Sequence, residues 1–508
     1  MKKLFCILLL IVMCLGLVSC GEKDYSDKTV YYSVTDGINS FDPQLAKTNA
    51  EINIASNCFE GLTTKDKDGK IVLGCASSYT VSDDKLTYKF SVKDDLLWSD
   101  GETKLKAKDF EFGIKRAVKK STNAPFASLL YCIKNAEKIN KGKMSLSSLG
   151  VKADKNTLTI QLEKPSEYLL EFLSQPVCAP CNEEFFNETI GKYGLDNKKI
   201  ITNGAFYITS FDQKENTVSI YNNTNYSGNQ KAKIKSVTIN LKKDYKDIYK
   251  SFENKDIDVA PIECSYIKSL KNYGNKTKLY YNTNYCLYIP KSAFSAGLRK
   301  GLFTSIDEDS IENNISDSYL SPKGIVPLNN TFDNKNYRDT VGVVSLSKYD
   351  KKKALKLLGD YDLASKKLSE VKLVYPDTDE KLKLISNLIV QGWQKDLNIY
   401  INSEPSSEYD IKEGLKNKEI KIAVIPVSGK GNLATESFLT LKDYGVINYS
   451  VKNFNANKLL KVEKSLAKNG VIYPIIAIPN AISYAKDINN LVTSLDGVTI
   501  DFRFITKD

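Results

Sequence analysis

The sequence predicts an α/β protein of more than one domain, carried out of the cytoplasm behind an N-terminal leader. Three observations predict it. Short β-branched, alternating segments are interleaved with amphipathic helical segments in both halves of the chain, the pattern of α/β lobes. The chain has 508 residues, 42% of them hydrophobic, enough for two or three domains with large cores and no need of disulfides. It begins with a short basic stretch followed by an apolar run, the form of a secretory signal.

Lys2 and Lys3 open the leader, and Leu4 to Val18 follow almost without a polar atom. At about 15 residues the run is too short for a comfortable membrane span of about 20. It ends in Leu17-Val18-Ser19-Cys20, which resembles the bacterial lipobox, where a small residue precedes a cysteine that receives lipid before cleavage. That resemblance implies a leader over residues 1–19, a mature chain starting at Cys20 with acyl chains such as palmitate, and a polar tether over residues 20–28. The expected location is the outer face of a cell membrane, as in a Gram-positive bacterium. Past the leader the apolar runs are strand-sized, Ile422 to Val427 and Ile475 to Ile478 among them.

Thr29 to Val34 alternates and is rich in β-branched and aromatic residues, a strand. Asp36 to Pro43 is a turn-rich loop, and Ala50 to Phe59 a helix. Asp68-Gly69 closes a hairpin, because Asp-Gly supplies the positive φ of a tight turn. Leu86 to Val92 is a strand, Lys108 to Val118 an amphipathic helix, and Leu158 to Leu162 a strand. Val218 to Tyr221 and Ser236 to Leu241 are strands, Ile248 to Phe252 is helical, and Ile257 to Ala260 extended. Lys353 to Leu358 is a helix and Val371 to Tyr375 a strand. Glu380 to Leu397 is a long helix, expected to lead into a strand at Ile399 to Ile401.

Composition excludes whole classes of function. The chain has no histidine, which removes Ser-His-Asp and Cys-His catalysis, histidine metal sites and the commonest general base. The net charge is +11, but the lysines are spread, and the Lys351-Lys352-Lys353 run reads as a solvated helix start. No basic patch interleaves with aromatics, so nucleic acid is not an expected partner. No cofactor or metal site is expected either. Seven cysteines follow Cys20 at irregular spacing, which fits free buried thiols better than a disulfide framework. Cys178-Ala179-Pro180-Cys181 has redox-motif spacing but no strand leading into a helix. Ser428-Gly429-Lys430-Gly431 lacks the frame of a phosphate loop and reads as an ordinary loop.

A series of motifs runs in order along the mature chain: Lys67 to Gly74 (KDGKIVLG), Tyr79 to Asp84 (YTVSDD), Leu86 to Phe90 (LTYKF), Leu97 to Gly101 (LWSDG) and Ala107 to Phe110 (AKDF). Ala124 to Ser128 (APFAS), Leu149 to Ala153 (LGVKA), Thr202 to Ala205 (TNGA), Asn225-Tyr226, Asp256 to Val259 (DIDV) and Tyr349 to Ala354 (YDKKKA) continue it. The series resembles the bacterial extracellular solute-binding proteins of the peptide family, which serve ABC importers, and oligopeptide-binding proteins most of all. The resemblance implies a two-lobed, periplasmic-binding-protein-like α/β fold with a hinge between the lobes. Residues 29–62, 186–280 and 474–508 would form the core of lobe I, residues 63–185 a small inserted β-rich subdomain, and residues 281–473 lobe II. It implies a monomeric binding protein, not an enzyme, whose partners are an oligopeptide and a permease.

The loop Asp36 to Phe41 borders the ligand cleft in that family, which makes Gly37, Ile38, Asn39 and Ser40 ligand-binding candidates. Phe126 is a further candidate. Trp98-Ser-Asp-Gly101 reads instead as a structural turn, because turn chemistry accounts for Asp100 and Gly101. In lobe II the pattern changes. Ser437-Phe438-Leu439 matches the family, but Ser428 stands where peptide binders carry a tryptophan. Gly431 stands where they carry the aspartate that pairs with the peptide α-amino group, and Glu436 is the nearest acidic residue. Ser428, Gly431 and Glu436 are therefore the lobe II candidates. Peptide capture by backbone pairing survives such a change. A sensor of one peptide, a binder of another solute such as a metal chelate, and a thiol-disulfide enzyme using Cys178 and Cys181 stay open as alternatives.

Overall fold

The computed structural model describes residues 28–228, 230–315, 318–333, 335–344, 348–359, 370–377, 380–429, 433–451, 454–494 and 496–508. The leader, Cys20 and Gly431 lie outside the described residues. Among those described, no helix is long and apolar enough to cross a membrane.

Strand β1 (Thr29–Val34) buries Val30, Tyr32 and Val34. Helix α1 (Asn49–Cys58) starts with a capping box, in which Thr48 accepts from the backbone of Glu51 and Glu51 reaches back. Its buried Asn53 and Asn57 clip the end of the chain onto this lobe. Asn53 donates to Val498 O and accepts from Ile500 N, and Asn57 donates to Ile500 O and accepts from Phe502 N.

The next segment folds as a small antiparallel sheet of β2 (Ala76–Val81), β3 (Thr87–Val92), β4 (Val151–Asp154) and β5 (Thr157–Gln161), in the order β2-β3-β5-β4. Helix α2 (Ala107–Val118) packs its apolar stripe on it. Trp98 is fully buried beside the turn, where the Asp100 carboxylate accepts from the backbones of Glu102 and Thr103 and Gly101 has φ +76°. The motif serves the turn, as its residue chemistry predicted.

Besides several two-stranded ribbons, the longer strands are β6 (Phe206–Asp212), β7 (Thr217–Asn222), β8 (Ser236–Leu241), β9 (Val259–Ile262), β10 (Lys276–Tyr288), β11 (Lys372–Pro376), β12 (Asn402–Ser406), β13 (Ile422–Ser428) and β14 (Ile472–Tyr484). With β1 they form one mixed sheet in the order β12-β11-β13-β10-β14-β9-β1-β8-β7-β6. Helix α3 (Tyr245–Glu253) precedes β9, and α4 (Glu380–Leu397) links β11 to β12. Helices α5 (Ala434–Asp443) and α6 (Ala456–Lys468) follow β13.

The sheet belongs half to each lobe, and the antiparallel pair β10 and β14 spans the join. The two strands slip register between Tyr280 and Thr283, opposite Pro479. Before the slip they pair beside lobe I through β9, and after it beside lobe II through β13. One apolar cluster runs under the join, with Ile262 and Leu270 on one side and Leu302, Trp393 and Tyr473 on the other.

One expectation is corrected. The strand after α4 is Asn402–Ser406, not Ile399 to Ile401, because pairing with β11 starts at Lys372 opposite Asn402. Asn398 turns left-handed at the helix end, and Ile399 and Ile401 are buried in the core as the chain crosses over. Their alternation reflects burial without a ladder. Ile472 to Ile478 pair with β10 from Tyr288 back to Thr283, and Asn480 to Tyr484 pair with it from Tyr280 back to Lys276.

Candidate ligand-binding cleft

The parallel strands of both lobes end at the same line. In lobe I, β9 ends at Ile262, opposite Ala481, which faces Leu279 of β10. In lobe II, β13 ends at Ser428, opposite Thr283, which faces Ile478. Between these two rows lie Tyr280–Asn282 and Pro479–Asn480, the stretch where the ladder slips. Ligands of open α/β sheets bind outside the carboxyl ends of the strands at such a junction.

The slip strips Tyr281 of its strand partner, and Pro479 has no N–H to offer. Asn329 replaces them, accepting from Tyr281 N through Oδ1 at 2.9 Å and donating its own N–H to Tyr281 O at 3.0 Å. The Tyr281 hydroxyl donates to Ser318 O at 2.8 Å. The next residue, Asn282, is 5% exposed, yet neither atom of its carboxamide has a hydrogen-bond partner among the described residues.

On the lobe I side, β1 delivers the chain into the loop holding Gly37 to Ser40. Glu51 of α1 organises it: Oε1 accepts from Asn39 N at 2.7 Å and Asn39 Nδ2 at 3.1 Å, and Oε2 from Lys47 N and Thr48 N. Burial raises the Glu51 pKa, but these donors outweigh it and hold the carboxyl below its ordinary value. Asn39 is thus engaged in shaping the loop. So is Ser40, whose Oγ accepts from Asp42 N and donates to Gly194 O. Gly37 is exposed with open space around its Cα, its carbonyl accepting from Thr48 Oγ1 at 2.9 Å. Ile38 is half-buried against the lobe I core, and so is Phe126, on the inserted subdomain.

On the lobe II side, Ser428 closes β13 and its carbonyl accepts from Thr440 Oγ1 of α5 at 2.7 Å. Gly429 has no room for a side chain, since a Cβ there would lie 2.3 Å from Leu433 O. Asn330 bridges the same corner, donating to Ser437 Oγ at 2.6 Å and Leu433 O at 3.3 Å, while its buried Oδ1 has no partner among the described residues. Glu436 sits half-buried in the first turn of α5. Tyr168 comes close enough for its hydroxyl to feel the charges of this corner. Burial, then the charges of Asp333, Glu167, Glu171 and Glu436, push its pKa up to about 12. Asp333 and Glu436 thus form an acidic rim within reach of the Tyr168 hydroxyl.

Gly37–Ser40 lie in the loop after β1, Ser428 ends β13, and Glu436 lies in the first turn of α5. Asn282, Asn329, Asn330, Asp333 and Tyr168 were not singled out by the sequence reading. A signal for the asparagines was present: Asn282 and Asn284 interrupt an otherwise strand-like run, and asparagine is depleted in strands.

No nucleophile emerges at the redox-spaced pair. Cys178 and Cys181 are buried and unbonded to one another. Burial pushes both thiols up, Cys181 to about 11 even with Arg116 beside it at 3.4 Å. A reactive cysteine needs the opposite shift.

The chain is similar to known proteins over most of its length. Residues 70–447 match the family described as bacterial extracellular solute-binding proteins, family 5 Middle. The oligopeptide-binding protein OppA of Bacillus subtilis (strain 168) is 28% identical over 446 residues, 81% of each chain. The dipeptide-binding protein of Lactococcus lactis subsp. cremoris (strain MG1363) is 36% identical over 225 residues, 44% of this chain and 41% of that one. Among solved structures, Listeria monocytogenes OppA bound to peptide superposes with a TM-score of 0.72 at 22% identity, covering 95% of this chain and 99% of the other. This is a two-lobed binding protein rather than an enzyme, and it belongs to family 5 of the bacterial extracellular solute-binding proteins.

Proposed function

We propose that this protein is a lipid-anchored, extracytoplasmic receptor that binds oligopeptides as a monomer and delivers them to the permease of an ABC importer. The observation that carries the reading is the similarity, over four-fifths of each chain, to an oligopeptide-binding protein. The convergence of strand ends from both lobes on the β10–β14 slip supports it. Closure about the hinge buries the ligand between the lobes. Recognition rests mainly on the peptide backbone, because extended peptides add to exposed strand and loop edges. With Gly431 in place of the family's aspartate, the acidic rim of Asp333 and Glu436 supplies the negative field for the peptide amine.

Cys20 is the anchor, and several acyl chains hold it, since one chain binds a membrane only marginally. Cys20→Ala is expected to release the protein from membranes with its fold unchanged. Calorimetry against a defined library of di- to decapeptides tests the function. Binding of many members supports a nutrient receptor, and no binding at all overturns the peptide reading. Tight binding of one member alone would favour a receptor for a single signal peptide, the reading suggested by Ser428 and Gly431.

A further inference from the structure

The stretch where β10 and β14 slip register holds a buried polar group with no hydrogen-bond partner among the described residues. Asn282 lies where β10 leaves register with β14, between the rows that mark the ends of β9 and β13. The pairing of β10 with β13 ends at Thr283 and Ser428, and Asn282 and Gly429 are the next residues beyond that last pair. Gly429 in turn abuts Asn330, whose Nδ2 would lie 2.6 Å from a Cβ at that glycine. Asn282 is 5% exposed and Asn330 is fully buried. Both carboxamide atoms of Asn282 and Oδ1 of Asn330 lack hydrogen-bond partners among the described residues.

Buried polar side chains in folded proteins are nearly always paired, and an orphan forfeits its hydration without return. An apolar side chain of similar shape would serve packing better at Asn282. A carboxamide there makes physical sense if its partner arrives from outside. It offers N–H donors beside a C=O acceptor, the complement of one peptide group, which presents a C=O and an N–H.

We propose that Asn282 reads a backbone peptide group of the ligand and so makes closure of the lobes conditional on an amide in the cleft. The inference rests on the peptide reading and adds a residue and a mechanism to it. Over an empty cleft, closure leaves the Asn282 carboxamide dry, and the open state, which rehydrates it, is favoured. A peptide lying along the slip satisfies the group and shifts the population to the closed state, by as much as its affinity for the two states differs. Asn282 acts on the backbone, so the effect is independent of the peptide's side chains.

The test is a cycle of protein and ligand changes on the intact chain. The tightest tetrapeptide of a defined library is N-methylated at each peptide bond in turn and titrated into wild type and Asn282→Leu. One N-methyl position is expected to cost wild type about tenfold in affinity and to cost Asn282→Leu nothing, the signature of a direct pair. Asn282→Leu is also expected to melt at or above the wild-type temperature without peptide, because it removes an orphaned group. Should Asn282→Leu not fold, Asn282→Ala takes its place in the cycle. Additive losses at every N-methyl position would overturn the inference and leave the peptide reading standing. So would a variant that melts lower than wild type and binds peptide equally well, which marks a purely structural asparagine. Failure of wild type to bind any library peptide would overturn both.

Discussion

Asn329 holds the backbone of Tyr281 from both sides at the point where the two hinge strands lose register, with N···O distances of 2.9 and 3.0 Å. The pair ties a lobe II loop to the one stretch of β10 that β14 does not hold. Asn329→Ala leaves the Tyr281 N–H without its acceptor, at a cost of about 1–2 kcal/mol. Asn329→Asp keeps an acceptor at the same place and is expected to retain more stability. Urea unfolding of the three proteins checks the order. Small-angle scattering of Asn329→Ala without peptide is expected to show a wider distribution of lobe separations.

Lobe II is pinned by a buried charge pair. Glu463 is fully buried and accepts from Arg338 through both oxygens, from Tyr337 Oη at 3.0 Å and from Val326 N at 2.9 Å. This fastens α6 to the segment that continues into Asn329 and Asn330. Glu463→Gln strands the Arg338 charge away from water, and removing one partner of a buried pair costs about 3–5 kcal/mol. Thermal unfolding measures the loss. Methionine at Glu463 together with leucine at Arg338 is expected to recover much of it, since neither charge is then left alone.

Acid should loosen the lobe I loop first. The native Glu51 pKa lies below its ordinary 4.5, because four donor contacts from the Asn39, Lys47 and Thr48 region favour the carboxylate over the opposing effect of burial. A depressed native pKa gives stability that is fully present above the unfolded value and lost as pH falls through the native one. Stability is therefore expected to decline as pH drops below about 4.5. In Glu51→Gln that part of the decline disappears, and the protein starts less stable at neutral pH. Unfolding free energy measured from pH 3 to pH 7 decides it.

The rim carboxylates should tell a free amine from a blocked one. The charges of Asp333 and Glu436 both reach the Tyr168 hydroxyl. Glu436→Gln is expected to weaken free-amine peptides severalfold, with a smaller change for the same peptides N-acetylated, because an exposed or half-buried charge contact is worth about 1 kcal/mol. Raising the salt concentration should shrink the difference. Equal losses for both peptide forms would place the amine elsewhere.

Much of this was legible in the chain and some was not, for identifiable reasons. β1, α2 and α4 could be read directly, because alternation and helical spacing report which side chains face the core. The turn at Asp100-Gly101 was equally plain, since φ +76° there demands glycine. Ile399 and Ile401 misled because burial on one side of a crossover looks like a strand when no partner is visible. The roles of Asn39 and Ser40 in their loop were not legible, because the Glu51 carboxylate and Gly194 that engage them lie farther along the chain. Tyr168 and Asp333 gave no local signal, because each matters only through the other lobe.

The sequence by itself determined the elements, the order of the motifs that mark the family, and the absence of any histidine chemistry, because these depend on neighbours along the chain and on residue type. Only the tertiary structure decided where the hinge lies and what lines it. The slip at Tyr281–Asn282 exists because Pro479, nearly two hundred residues later, meets β10 there without an N–H to donate. Which asparagine is paired and which is left bare follows from that meeting, and no window of local sequence contains both strands.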